Sequence, residues 1–219
     1  MKTVLRNAYL IAICLMLPVK TLGYDPPKGL TWGMSYERAK AHLLTLPKDD
    51  RSELGKPKVF KGSRKGILQS IGFFPIIPEA QTAEFKKNLK IAEKKVNHSF
   101  LIFHPDSGLC SVWYQVMFTR NDANEAWSYF KKVQTLLTAK YGKPDKGVPI
   151  DMPVVPLVKG SPYRSIWVSG ENGQVMVLTI QRAGSLITFD SVELQYCTAD
   201  FYRMVEDQIQ DKLEEEELL

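Results

Sequence analysis

His98 and His104 stand six residues apart on a stretch that reads as β-strand, a gap that could turn both imidazoles to one face. Two imidazoles would begin a metal centre, but without a third convergent ligand the pair makes no site, and no metal is expected. Ser35, Ser111 and Ser165 carry hydroxyls that become nucleophiles only when a base converges on them in space, and the sequence assigns none. No Gly-x-Ser-x-Gly elbow, His-Glu-x-x-His pair, phosphate loop or Cys-x-x-Cys is present. Paired carboxylates for glycoside chemistry need only meet in the fold, so that class stays open. The reading leans away from an enzyme, with no catalytic residue and no cofactor assigned.

Aromatic side chains offer binding in place of catalysis. Trp113 and Trp167 alternate against the apolar neighbours Val112 and Ile166, which directs both to the outer face of their strands. With Tyr163 they form the candidate ligand or partner surface, and a covering helix is the competing explanation for apolar rings on that face. Trp127 falls on a helical apolar stripe and reads as core.

These residues must be positioned by elements that punctuation marks out. Ser35 can cap a helix from Tyr36 to about Leu46, with Glu37 suited to its positive end and Pro47 to its stop. Leu30 and Trp32 should pack on the core as the chain enters that helix, with Gly33 supplying the bend. Residues 58–78 read as an irregular strand pair, and 84–94 fit helix or strand equally. Val96 to Phe103 and Leu109 to Phe118, joined by "HPDSG", make a hairpin. Asn121 or Asp122 then caps a helix whose stripe is Ala123, Ala126, Trp127, Phe130, Val133, Leu137 and Tyr141, ended by Gly142 and Pro144. A proline-rich loop spans 144–162. Strands follow at Tyr163–Val168, Gln174–Gln181 and Leu186–Tyr196, the first two joined around Asn172-Gly173. Thr198 caps a last helix bearing Phe201, Val205, Ile209 and Leu213, whose end at "EEEELL" should fray against the dipole.

Strands arrive in antiparallel runs, so the class is α+β: a twisted antiparallel sheet with helices mainly on one face. The order is helix, strands, hairpin, helix, three-strand meander, helix. Residues 24–199 form one domain; "ELGKPK" after the first helix and "KYGKPD" after the second could mark two related halves split near residue 120, but ordinary helix-stop chemistry is the better account of a Gly-x-Pro there. Residues 200–219 form an acidic C-terminal helix.

Residues 1–23 carry Lys2 and Arg6, an apolar run from Ala8 to Val19, and the small residues Thr21 and Gly23 before Tyr24, the pattern of a secretory signal peptide. The run is shorter than the ~20 residues that a spanning helix needs. A periplasmic or secreted chain with no later transmembrane segment is expected. The net charge of +5 conceals a more basic body, because eight acids between Asp200 and Leu219 face only Arg203 and Lys212. Clusters such as Lys86, Lys87, Lys90, Lys94 and Lys95 suit an anionic envelope component or an envelope protein better than nucleic acid. Cys110 and Cys197 survive removal of the leader, and an even pair in an oxidising compartment invites a disulfide. Their strand parities conflict, since Cys110 alternates with Val112 and Tyr114 whereas Cys197 opposes Leu194 and Tyr196. Bridge and free thiols both stay open.

"GLTWGMSYERAKAHL", "LTAKYGKPD", a Trp-bearing strand and "VELQY" resemble a diffuse group of uncharacterised exported proteins of Gram-negative bacteria. "GMS…ELGKP" is similar to the start of small envelope lipoproteins of the outer-membrane assembly machinery, from which this chain departs in its length and its lack of a lipobox cysteine. The resemblance implies an exported α+β protein and carries no catalytic residue. The expected function is non-catalytic binding of a protein partner or envelope component. The alternatives are a small hydrolase with its site under the 144–162 loop, or an inhibitor-like module presenting that loop.

Overall fold

The computed structural model describes residues 24, 26–47, 53–59, 80–86, 89–118, 123–158, 161–169, 173–183 and 189–207. The expected signal peptide, most of the 58–78 strand pair, the Asn121 or Asp122 cap, Asn172 and the acidic end of the last helix lie outside these residues.

Local chemistry sets the first helix, α1 (Tyr36–Thr45). Ser35 Oγ accepts from the Arg38 backbone N–H at 3.4 Å, and Ala39 and Leu43 bury their side chains. Before it, Gly33 turns the chain at φ +79° and its N–H donates to Leu109 O, while Leu109 N–H returns a bond to Met34 O. The entry segment is thereby fastened to the distant hairpin of which Leu109 is part.

Among the described residues nine strands form one sheet, and every ladder is antiparallel. They are β1 (Glu53–Leu54), β2 (Lys58–Val59), β3 (Gln81–Lys86), β6 (His98–His104), β7 (Gly108–Phe118), β8 (Lys146–Gly147), β9 (Tyr163–Ser169), β10 (Gln174–Ala183) and β11 (Phe189–Thr198). The stretch that fitted helix or strand equally is strand in β3 and in a small separate hairpin, β4 (Lys90–Ile91) with β5 (Lys94–Lys95). Ala92 and Glu93 make the hairpin's tight turn at φ 45° and 75°.

The sheet order β1-β3-β6-β7-β11-β10-β9-β8, with β2 also on β3, reads alike from both ends. In the first half, α1 and a Gly-Lys-Pro lead through β2 to β3, β6 and β7. In the second, α2 (Ala123–Tyr141) and a Gly-Lys-Pro lead through β8 to β9, β10 and β11. The two meanders meet at a central β7–β11 seam, paired from Ser111↔Cys197 to Phe118↔Asp190.

One face of the sheet packs on α1 and α2 in a core that includes Leu43, Val112, Tyr114, Trp127, Phe130, Leu178 and Leu194. On the other face, the helical segment 199–207 lays Phe201 and Val205 over Trp113, Val177 and Cys197. Its first turn is capped by Thr198, whose hydroxyl accepts from Phe201 N–H at 3.3 Å. This is the α+β architecture expected of antiparallel strand runs, with α1 and α2 on a common face and the described part of the C-terminal helix on the other.

Two parities need correction. A β-bulge sits between Ile102 and Phe103 opposite Cys110, so that the register jumps from Ile102↔Ser111 to Phe103↔Leu109. The extra residue leaves the alternation of Val112 and Tyr114 and joins the opposite face with Trp113 and Cys197. Trp113 and Trp167 also lie on opposite faces, because Trp113 pairs toward Gln195 whereas Trp167 aligns with Met176 over the α2 side.

Candidate functional site

α2 covers β10, β11 and part of β7, whereas α1 lies toward β1 and Phe103 at the far side of the first half. Beside α2, above Tyr114, Leu194 and Tyr196, the small β4–β5 hairpin forms a facing wall. Tyr129 Oη donates to Ile91 O at 2.6 Å, Lys132 pairs with Glu93 at 2.6 Å, and Lys94 pairs with Glu125, so the hairpin is clamped onto α2.

The space beside them is an open cavity of about 420 Å³, within the ~300–1,000 Å³ typical of small-molecule sites. Its floor is Tyr114 of β7 with Leu194 and Tyr196 of β11. α2 contributes Val133, Leu136, Leu137, Lys140 and Tyr141, a run at i, i+3, i+4, i+7 and i+8 that places all five on one side of the helix. Leu136 is 53% exposed, too open for a core residue.

Tyrosines line the inner end. Tyr114 and Tyr196 meet edge to face at 6.4 Å between centroids, and Tyr24 meets Tyr141 at 5.0 Å and 82°. Burial raises the phenol pKa of Tyr114 and Tyr196, and burial with the nearby Asp145 charge raises Tyr24 to about 12. These phenols remain neutral donors over the whole physiological range. Lys90 and Lys140 are the charged groups of the lining, and among the described residues no carboxylate joins them. Lys140 Nζ lies 4.8 Å from the Tyr141 ring centroid.

A second cluster lies on the opposite face. Glu193 is buried at the centre of the sheet and accepts from Gln181 Nε2 at 2.8 Å, Gln115 Nε2 at 2.9 Å, Ser191 Oγ at 3.0 Å and Trp113 Nε1 at 3.3 Å. Burial raises its pKa, and the four donors oppose that rise. Beside it, under segment 199–207, the space is about 20 Å³, room for about one water. This cluster is a satisfied polar network inside a packed layer and admits no substrate.

The residues singled out by sequence do not assemble into one surface. Trp113 is 2% exposed, stacks on Phe100 at 5.4 Å and is covered by segment 199–207. Trp167 is 1% exposed and donates to Gly142 O at 2.9 Å, fixing the exit from α2. Tyr163 packs on Trp127 at 5.2 Å. The two tryptophans are buried in packing and form no surface, while Tyr163 is half-buried. His98 stacks near Phe100, His104 accepts from the Asp106 N–H, and six strand residues hold the two imidazoles ~20 Å apart. Cys110 and Cys197 are both free thiols in the same buried cluster, each donating to a main-chain carbonyl. Burial pushes Cys110 up to about 12 and raises Cys197 as well, with Cys110 nearby adding to it.

The cavity residues Tyr114, Tyr196, Leu194 and Lys140 were missed because the first three read as ordinary apolar strand alternation and Lys140 as helix surface. Leu136 gave the one signal, an apolar residue beside the core stripe with nothing in sequence to bury it. No protein-family model, no curated protein and no solved structure matches the chain.

Proposed function

We propose that this chain is an exported, non-catalytic binding protein whose ligand occupies the cavity over the β7–β11 seam. The observation that carries the reading is the cavity itself: about 420 Å³, lined mainly by apolar side chains with tyrosines and two lysines among them. Support for export comes from the leader-like pattern of residues 1–23. Among the described residues no helix is long and apolar enough to cross a membrane. The test is to purify the chain from the envelope fraction without denaturant and identify small molecules released by organic extraction. A compound present with the wild type and lost from Leu137→Trp, which fills the cavity, supports the reading. Extracts without any bound compound, or identical extracts from both proteins, overturn it.

Export also leads us to propose that Cys110 and Cys197 become bridged. The bulge places both on one face of neighbouring strands, and their high pKa values once buried require oxidation before folding closes over them. Thiol–disulfide exchange with an oxidising dithiol protein would form the S–S bond, its own disulfide taking up the two protons and two electrons.

A second reading rests on the proline-rich loop. Val148 and Leu157 are buried, Gln134 donates to Val148 O at 2.6 Å, Trp127 donates to Val155 O at 2.8 Å and Lys131 reaches Met152 O, so the loop is pinned to α2. Ile150, Val154 and Val158 are left exposed on it. A preformed apolar loop suits docking to a protein partner, as in an inhibitor-like module. Hydrolysis beneath the loop is less well supported, since Ser165 Oγ meets the Gln134 amide at 3.0 Å and an amide is no base. Ile150→Asp with Val154→Asp would abolish co-elution of an envelope protein if this reading holds, and unchanged co-elution would overturn it.

A further inference from the structure

Resting on the reading of the seam cavity as the binding site, we propose that its ligand is a single-chain amphiphile with an anionic head. The walls argue for the chain. Leu89, Ile91, Val133, Leu137 and Leu194 offer an aliphatic lining continuous from the β4–β5 hairpin to the sheet, and a polar ligand would leave its hydrogen bonds unmade against them.

The border argues for the head. Of the lysines around the hairpin and α2, Lys94 and Lys132 are engaged by Glu125 and Glu93. Lys90 and Lys140 are exposed and line the cavity, where no described carboxylate balances them. An anion set between these two ammonium groups gains Coulomb attraction from both, while a cation would be repelled by both. Exposed Leu136 stands at the border, where the chain of such a ligand would cover it.

The chemistry is shared by a free fatty acid and a lysophospholipid, and the probes separate them. The delipidated full mature chain is titrated calorimetrically with tetradecanoate, a lysophosphatidic acid of the same chain length, tetradecanol, tetradecyltrimethylammonium and hexanoate. Binding of either long-chain anion, with the alcohol and ammonium at least about tenfold weaker and hexanoate weaker still, supports the proposal; the tighter anion identifies carboxylate or phosphate as the source. Lys90→Glu with Lys140→Glu should weaken the anion about tenfold or more and leave the alcohol unchanged. Leu136→Asp, on an exposed position that the fold does not need, should also weaken the anion selectively. Equal binding of anion, alcohol and ammonium, unmoved by charge reversal but lost in Leu137→Trp, would overturn the anionic head while leaving the cavity as the site. Absence of binding by every long-chain probe would overturn the amphiphile proposal, and the extraction experiment then decides the fate of the cavity reading separately.

Discussion

Tyr114 and Tyr196 stand edge to face across the β7–β11 seam, 6.4 Å between ring centroids and 81° between planes. Each comes from a different half of the sheet, so this pair both fastens the halves and floors the cavity. Tyr114→Ala should lower stability by about 3–5 kcal/mol through lost packing and the void it leaves. Tyr114→Phe should stay within about 1 kcal/mol of wild type. A double-mutant cycle with Tyr196 by denaturant unfolding should give a coupling of about 0.5–1.5 kcal/mol. Coupling indistinguishable from zero would show that the ring contact contributes nothing of its own.

Glu193 makes stability depend on pH with a definite sign. Its folded pKa lies above the ordinary 4.5 because burial disfavours the carboxylate. The folded state therefore holds its proton where the unfolded state releases it. Its contribution is complete below about pH 4.5 and declines as pH rises through the raised folded value. Glu193→Gln should flatten this part of the profile, while its amide N–H2 leaves one of the four donors facing a donor. Glu193→Ala should cost about 3 kcal/mol or more, since the Trp113, Gln115, Gln181 and Ser191 donors lose their acceptor. Thermal melts of the three proteins from pH 4 to 8 would contradict the assignment if their profiles ran parallel.

Gly108 and Gly142 both sit at positive φ, +66° and +87°, yet their substitutions should differ. A Cβ on Gly108 would lie 2.3 Å from Gly33 O, where the entry segment crosses the hairpin turn, whereas one on Gly142 meets nothing within 4 Å. Gly142→Ala should cost about 1–2 kcal/mol for the left-handed backbone alone. Gly108→Ala adds the clash and should cost more, a difference read directly from urea midpoints.

For the cysteines, protein recovered from an oxidising compartment should have an intact mass two hydrogens below that of the reduced chain. Reduction should then lower stability by about 2–4 kcal/mol, and Cys110→Ser should remove both effects. Two thiols titrating in denaturant without reductant would rule the bridge out.

Residue sequence determined the local structure because its signals act over a few positions. Ser35 satisfies the first turn of α1, Gly142 and Pro144 end α2, and alternation across 98–118 and 163–198 declares strands whose antiparallel runs make the class α+β. Each Gly-Lys-Pro segment precedes an outer strand. Tertiary structure alone decided the faces and the cavity. One inserted residue at the β7 bulge moved Cys110 across the sheet, which no period-two count reveals. Segment 199–207 buried Trp113, and the exit of α2 buried Trp167, so rings that alternate outward in sequence became core. The cavity draws Tyr114, Lys140 and Tyr196 from three elements distant along the chain. It forms where α2, the β4–β5 hairpin and the two seam strands meet, a property of how the layers pack and not of any contiguous stretch of residues.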